Sequence, residues 1–252
     1  MAGAKLTISS RNYSSWSLRA WLFCQLAELD VEVESVSIDD PNARAELLLL
    51  SPTVLTPRLD HKGASIWDTI AIAEYLEEEF PNKGLLPLDK KPRSHARSII
   101  GEMHGGFYNL RSALPMNLRA RYPGFRVFTG AKGDIRRVLT IWNECFDQYG
   151  GKFLFGNKPT LADAMYAPVC TRFVTYDVAL EGKAAQQAEP ERLPDHRADA
   201  LRPAGALHLE VVAVAEQAQP VAQQALGVLL PAAQQRATDI ALAGAGQRDE
   251  AL

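Results

Sequence analysis

Three polar entrances into regular structure carry the residue types that could do chemistry in this chain. The first is Tyr13-Ser14-Ser15-Trp16-Ser17, a hydroxyl-rich turn followed by Leu18, Leu22, Leu26 and Leu29 at helical spacing. At a helix N-terminus the free amides and the positive dipole end favour an anion, and a serine hydroxyl adds one more donor. A thiolate held there would be stabilised and its pKa lowered. Serine is equally a preferred helix cap, so simple capping fits the same residues. The second is Thr56-Pro57 at the mouth of a strand, where a cis bond would turn the preceding backbone groups outward to pair with an extended peptide. Only about 5 to 6% of X-Pro bonds are cis, so the residues alone favour trans. The third is Trp67-Asp68-Thr69 at a helix start. There Asp68 can accept from an ammonium group while Thr69 and the amides receive a carboxylate, the two ends of an α-amino acid, with capping again the plainer alternative.

Two further motifs lie later in the chain. Thr160-Leu161-Ala162-Asp163 has capping-box spacing and predicts a structural helix start, not a substrate contact. His104, Tyr108 and Arg111 fall at i, i+4 and i+7 of one expected helix, a polar stripe that could face a cleft. The five histidines show no ligand spacing with Cys, Asp or Glu, so no metal is expected. Cys24, Cys145 and Cys170 are widely spaced in apolar surroundings, which fits a reducing cytoplasm.

The elements that must position these groups change character along the chain. Lys5 to Ser9 reads as a strand, the leucine row as a helix, Val31, Val33, Val36 and Ile38 as a second strand, and Asp40-Pro41 as the start of a helix to about Leu50. Two short apolar stretches around Gly63 read as a hairpin. Ile72, Ala73, Leu76 and Phe80 then mark a helix with Glu77, Glu78 and Glu79 mostly outside. The first unit is therefore βαβαββα over residues 1–80, and 81–92, with Pro81, Gly84, Pro87 and Pro92, suits a linker. Helical patterns follow at about 93 to 121, 132 to 149 and 161 to 176, an all-α bundle over 93–180; the class is α+β.

Composition bounds the rest. With 47% hydrophobic residues, 23% charged and a formal net charge of −3, the chain can build a core and carries no positive field for nucleic acid. The opening MAGAKLTISSRN lacks an apolar stretch before a small-residue cleavage site, and no segment reaches the roughly 18 apolar residues that spanning needs, so a soluble, cytoplasmic protein is expected. All 9 Phe, 4 Trp and 7 Tyr lie at or before Tyr176. Beyond Glu181 an Ala, Gln and Pro-rich segment, 181–252, is broken by Pro190, Pro194, Pro203, Pro220 and Pro231 and offers no aromatic anchor, so poor packing is expected. A reading-frame change and a natural low-complexity extension both account for it.

Taken together, NYSSWSLRAWL, SPTVLTPRLDHKGASIWDTIAIAEYLEEEFP and GNKPTLADAMYAPV resemble the glutathione S-transferase family over roughly residues 5 to 180. The resemblance implies a thioredoxin-like glutathione-binding domain, a helical domain that completes a second-substrate cleft, a homodimer, and detoxifying conjugation of glutathione to a small electrophile. Carried over by position, Ser14 resembles the serine that stabilises the glutathione thiolate, with Ser15 an accessory donor. Thr56 precedes the family's cis-proline, Pro57, and Asp68 and Thr69 match the pair that holds the γ-glutamyl group. The second-substrate pocket then draws on His104, Tyr108, Arg111, Met116, Trp142, Tyr166 and Arg172. The text is nearest to zeta-like bacterial members, where Trp16 stands in place of a cysteine and Arg172-Phe173 resembles an Arg-Phe pair that meets a substrate carboxylate. A maleylacetoacetate-type isomerase is thus a second expectation, and a non-catalytic binding module a third. Leu55 occupies the position where the family often grips the glycyl carboxylate with Lys or Gln. Losing one charge-assisted bond costs roughly 1.5 to 3 kcal/mol, unless Arg44 or Arg58 replaces it.

Overall fold

In the computed structural model residues 3–36 and 55–179 are described, and all lie in one compact unit of the chain. The expected helix after Asp40-Pro41, Ile38, Arg44 and the segment 181–252 lie outside the described residues.

β1 (Ala4–Ile8), buried at every position but Lys5, is the spine of a mixed sheet, paired on both edges. Leu6 pairs in parallel with Val33 of β2 (Val31–Ser35) and antiparallel with Leu59 of β3 (Arg58–His61). β3 turns through Lys62 and Gly63, at φ 50° and 82°, into β4 (Ala64–Trp67). Positive φ at both central residues is what a tight hairpin with native strand twist requires, and Gly63 meets it without a Cβ clash. Strand order is β2-β1-β3-β4.

Two helices pack on each other beside the sheet. Helix α1 (Ser15–Leu26) buries Ala20, Leu22, Phe23 and Cys24, whereas Leu18 and Leu26 of the leucine row are only half-buried. Helix α2 (Thr69–Glu79) buries Ile72, Ala73 and Leu76. Glu77, expected outside, is buried too, because it pairs with Arg93. The stretch read as a linker is pinned to the core: Leu85 and Leu86 are almost fully buried, and the Leu85 carbonyl accepts from Leu161 N–H at 2.8 Å.

A single helix over 93–121 does not form. Helix α3 (Lys90–Gly105) ends at Gly105-Gly106, Phe107 takes φ 60°, and a short α4 (Tyr108–Ala113) stops before Leu114-Pro115. Tandem glycines are poor helix formers, and a proline disfavours helical backbone in the residue before it. Helices α5 (Thr129–Tyr149) and α6 (Leu161–Thr175) complete the bundle, and this thioredoxin-like sheet with a following helical part is the α+β fold expected. Helix α6 is central, packing on both α1 and α3.

The start of α6 is built as the capping box predicts. Asp163 Oδ2 accepts from Thr160 N–H and Thr160 Oγ1–H, each at 2.8 Å, while Oδ1 accepts from Leu154 N–H at 2.9 Å. Burial nevertheless holds the Asp163 carboxyl above its ordinary range, since the hydrogen bonds only partly offset desolvation.

Candidate functional site

The serine turn sits where β1 ends and α1 begins, and side chains lock its path. Ser10 Oγ accepts from the N–H groups of Asn12 and Tyr13, at 3.2 and 3.1 Å. Asn12 donates to Asn117 Oδ1 and accepts from Leu118 N–H, both at 3.0 Å, which ties the turn to the segment after α4. Ser14 is the α1 N-cap, with extended backbone at φ −87° and ψ 101°. Its Oγ accepts from Ser17 N–H at 3.2 Å and from Ser17 Oγ–H at 2.8 Å. Ser15 is buried and gives its carbonyl to Arg19 at 3.4 Å.

The other two entrances converge on the same end of the sheet. Thr56-Pro57 is cis. Arg58 is buried and pairs with Asp60 through Nε at 3.0 Å and Nη2 at 2.8 Å, while its Nη1 has no partner among the described residues. Asp68 caps α2, its Oδ1 accepting from Ile70 N–H at 2.8 Å and Ala71 N–H at 3.4 Å. It does so at φ 77°, a conformation unusual for a residue other than glycine and one that recurs at ligand clamps. Its second oxygen faces His104 Nε2 at 3.4 Å across from α3. Thr69 is buried at the first helical position.

Above the turn lies a cationic cluster that only partly follows the expected stripe. The break at 106–107 separates His104 from Tyr108, and Tyr108 is 79% exposed. Arg111 instead folds back, donating to the Met103 and His104 carbonyls that end α3, where a cation complements the dipole. Its guanidinium covers one side of the Trp16 indole at 4.5 Å, Arg19 lies over the same ring system at 4.7 Å, and His104 leans on it at 5.1 Å. Arg19 donates to the Met165 carbonyl at 2.6 Å, and Arg172 to those of Leu114 and Pro168 at 2.8 and 2.9 Å. Among the described residues no carboxylate pairs with any of these three arginines. Burial first, then mutual repulsion, lowers the pKa of Arg19 and brings that of Arg172 down to about 10. Arg111 is also lowered by burial, and its Nε has no partner.

Arg19 escaped the sequence reading, although its position four residues after Ser15 and three before Leu22 places it on the inward face of α1. Three pocket residues need correction in the other direction. Trp142 and Tyr166 pack against each other inside the bundle, with the Tyr166 hydroxyl on the Ile99 carbonyl at 3.1 Å, and Met116 is likewise buried. Trp142 and Tyr166 are core because the helices that carry them turn those faces toward one another, and Met116 is buried in the non-helical segment after α4.

All three cysteines are free and buried, and burial pushes Cys24 and Cys145 up to about 12 and Cys170 higher still. Among the described residues no group of three or more His, Cys, Asp or Glu gathers to hold a metal, and no helix is long and apolar enough to cross a membrane.

Comparison with known proteins agrees with this architecture. The glutathione S-transferase N-terminal domain matches residues 13–79, and the glutathione S-transferase C-terminal domain matches residues 119–202. A probable maleylacetoacetate isomerase of Caenorhabditis elegans is 29% identical over 169 residues, which is 67% of this chain and 79% of that protein. Glutathione S-transferase 1 of Dianthus caryophyllus is 27% identical over 173 residues, 68% of this chain and 78% of that one. A glutathione transferase homolog from Burkholderia, solved with bound glutathione, shares the fold with a TM-score of 0.50 and 22% identity, over 69% of this chain and 82% of that one. With residues 13–79 and 119–202 matched to the N- and C-terminal domains of that family, the chain belongs to the glutathione S-transferase family.

Proposed function

We propose that the chain is an enzyme that activates glutathione as a thiolate at Ser14 and adds it to a small electrophile. One observation carries this reading: Ser14 Oγ, at a helix N-terminus, already accepts two hydrogen bonds, and among the described residues nothing accepts its own proton. A sulfur anion is the partner such a donor suits, and stabilising the anion lowers the thiol pKa. The thiol proton leaves to solvent, and the sulfur lone pair forms the C–S bond as the electrophile's π bond opens or, on an aryl halide, the halide departs with its bonding pair. Thr56 would pair its backbone with the cysteinyl part, beside Pro57. Asp68, its Oδ1 already used in capping, would turn Oδ2 from His104 to the γ-glutamyl ammonium, with Thr69 at the carboxylate. Residues 1–80 would hold glutathione, and 93–180 would supply the second-substrate side.

The cationic cluster favours a second reading, glutathione-dependent isomerisation of a carboxylate-bearing substrate, in keeping with the isomerase name of the Caenorhabditis relative. There the thiolate adds to a double bond, the carbon skeleton rotates, and the thiolate is expelled unchanged. Arg111 suits the carboxylate best, because its Nε has no partner even though Nη2 donates to the Met103 and His104 carbonyls, whereas Arg19 and Arg172 spend Nε on the Met165 and Leu114 carbonyls.

The test is glutathione conjugation of a general aryl halide by wild type and Ser14→Ala. A fall of roughly tenfold or more is expected, and equal rates remove Ser14 from the mechanism. Calorimetry with glutathione separates either enzyme from a binding module that has lost this ligand, for which millimolar glutathione gives no heat.

A further inference from the structure

We propose that Ser17 is a positioning residue that aims and polarises the Ser14 hydroxyl, through a relay anchored in the sheet. This rests on the reading of Ser14 as the donor to glutathione sulfur. Ser17 is only 2% exposed and cannot itself reach a ligand in the cleft. Just past β1, Ser9 N–H donates to Ser17 Oγ at 3.3 Å, and Ser17 Oγ–H donates to Ser14 Oγ at 2.8 Å. Ser17 N–H donates to the same Ser14 oxygen at 3.2 Å.

The arithmetic of a hydroxyl gives this arrangement its meaning. A serine oxygen has two acceptor sites and one proton. In an ordinary serine cap the oxygen accepts one backbone N–H, and its proton turns freely among nearby acceptors. Here Ser17 fills both acceptor sites of Ser14, so the proton is the one function left and it must point away from Ser17. Successive hydrogen bonds polarise one another, so the N–H to hydroxyl to hydroxyl chain makes Ser14 a stronger donor than an isolated serine. No proton travels along this chain. Its effect is to hold the donor in the orientation that the thiolate needs, with no reorganisation when the charge forms.

The experiment titrates the thiol of glutathione in its complex, by thiolate ultraviolet absorbance, for wild type, Ser14→Ala, Ser17→Ala and Ser17→Thr, with affinity measured by calorimetry. Ser14→Ala should raise the bound thiol pKa by about one to two units. Ser17→Ala should raise it by about half a unit to one unit, with affinity within about twofold of wild type. Ser17→Thr, which keeps the hydroxyl, should restore the wild-type value. A Ser17→Ala protein that binds glutathione with an unmoved thiol pKa overturns the relay, and so does a rise that Ser17→Thr fails to reverse. An unmoved pKa in Ser14→Ala sinks the underlying reading of Ser14 instead. Should Ser17→Ala not fold, Ser17→Cys carries the test through the pH profile of kcat, whose midpoint must rise because a thiol donates weakly; an unchanged midpoint overturns the relay.

Discussion

Replacing Asp163 with alanine should cost the fold about 3 kcal/mol while leaving the glutathione affinity of the folded protein unchanged. The carboxylate is 2% exposed and serves three donors: Thr160 N–H, the Thr160 hydroxyl and Leu154 N–H. Alanine leaves the two backbone N–H groups without partners in a space that excludes water, at roughly 1 to 3 kcal/mol each. The hydroxyl can turn to another acceptor and adds little. Against this stands relief from burying the carboxylate, whose raised pKa shows that desolvation outweighs its hydrogen bonds. The net loss corresponds to a melting temperature lower by about 6 to 12 °C for a chain of this size. Asp163→Asn should fall between the two, since its amide must present N–H to another donor on one side. Urea unfolding at constant m-value measures the differences. The same group predicts a pH dependence. Because the folded state keeps this proton longer than the unfolded chain does, its contribution to stability is present below the ordinary carboxylate pKa. It declines as pH rises from there through the raised folded value. Asp163→Ala should abolish that decline. A loss below about 1 kcal/mol for alanine would refute the view that this carboxylate holds the start of α6.

Other outcomes follow from the same geometry. Arg111→Ala should raise KM for a carboxylate-bearing electrophile about tenfold or more and that for a neutral aryl halide about threefold at most, measured by steady-state kinetics; equal changes would assign Arg111 to the packing of Trp16 and the end of α3. A chromogenic disulfide reagent at mildly alkaline pH should label none of the three cysteines in the native protein and all of them after denaturation, given thiols that burial holds at about 12 or above. Gly151→Ala should destabilise by roughly 2 to 3 kcal/mol, because its Cβ would meet the Gly156 backbone at 2.4 Å at a φ of 82°. Gly84→Ala, also at positive φ but facing open space, should lose about 1 kcal/mol in the same denaturation assay.

The parts of this molecule that could be read from its sequence are those in which a local rule and the tertiary structure agree. The serine turn, the hairpin around Gly63, Asp68 as a cap and the capping box at Thr160 each satisfy backbone groups within a few residues, and each stands where its motif predicts. The cationic cluster was not legible in the same way. Trp16, Arg19, Arg111 and His104 come together because α1 packs on α6 and because α3 stops at Gly105-Gly106, letting Arg111 fold back. Helical spacing across that stop wrongly joined His104 to Tyr108. The same limit put Trp142 and Tyr166 in a pocket: an aromatic residue on an amphipathic helix reads alike whether its neighbour is a ligand or another helix.

The sealed cysteines also settle which sulfur chemistry these side chains can share. Thiol-disulfide exchange requires a protein thiolate that can attack, or be captured in, a mixed disulfide. Cys24, Cys145 and Cys170 are the only cysteines in the chain, and each is buried and held protonated. On the proposed reading Ser14, where a cysteine would form that bond, offers an oxygen that would hold a sulfur anion without joining to it. On that reading oxidised glutathione is expected to find no thiolate to exchange with while the fold keeps these three cysteines buried.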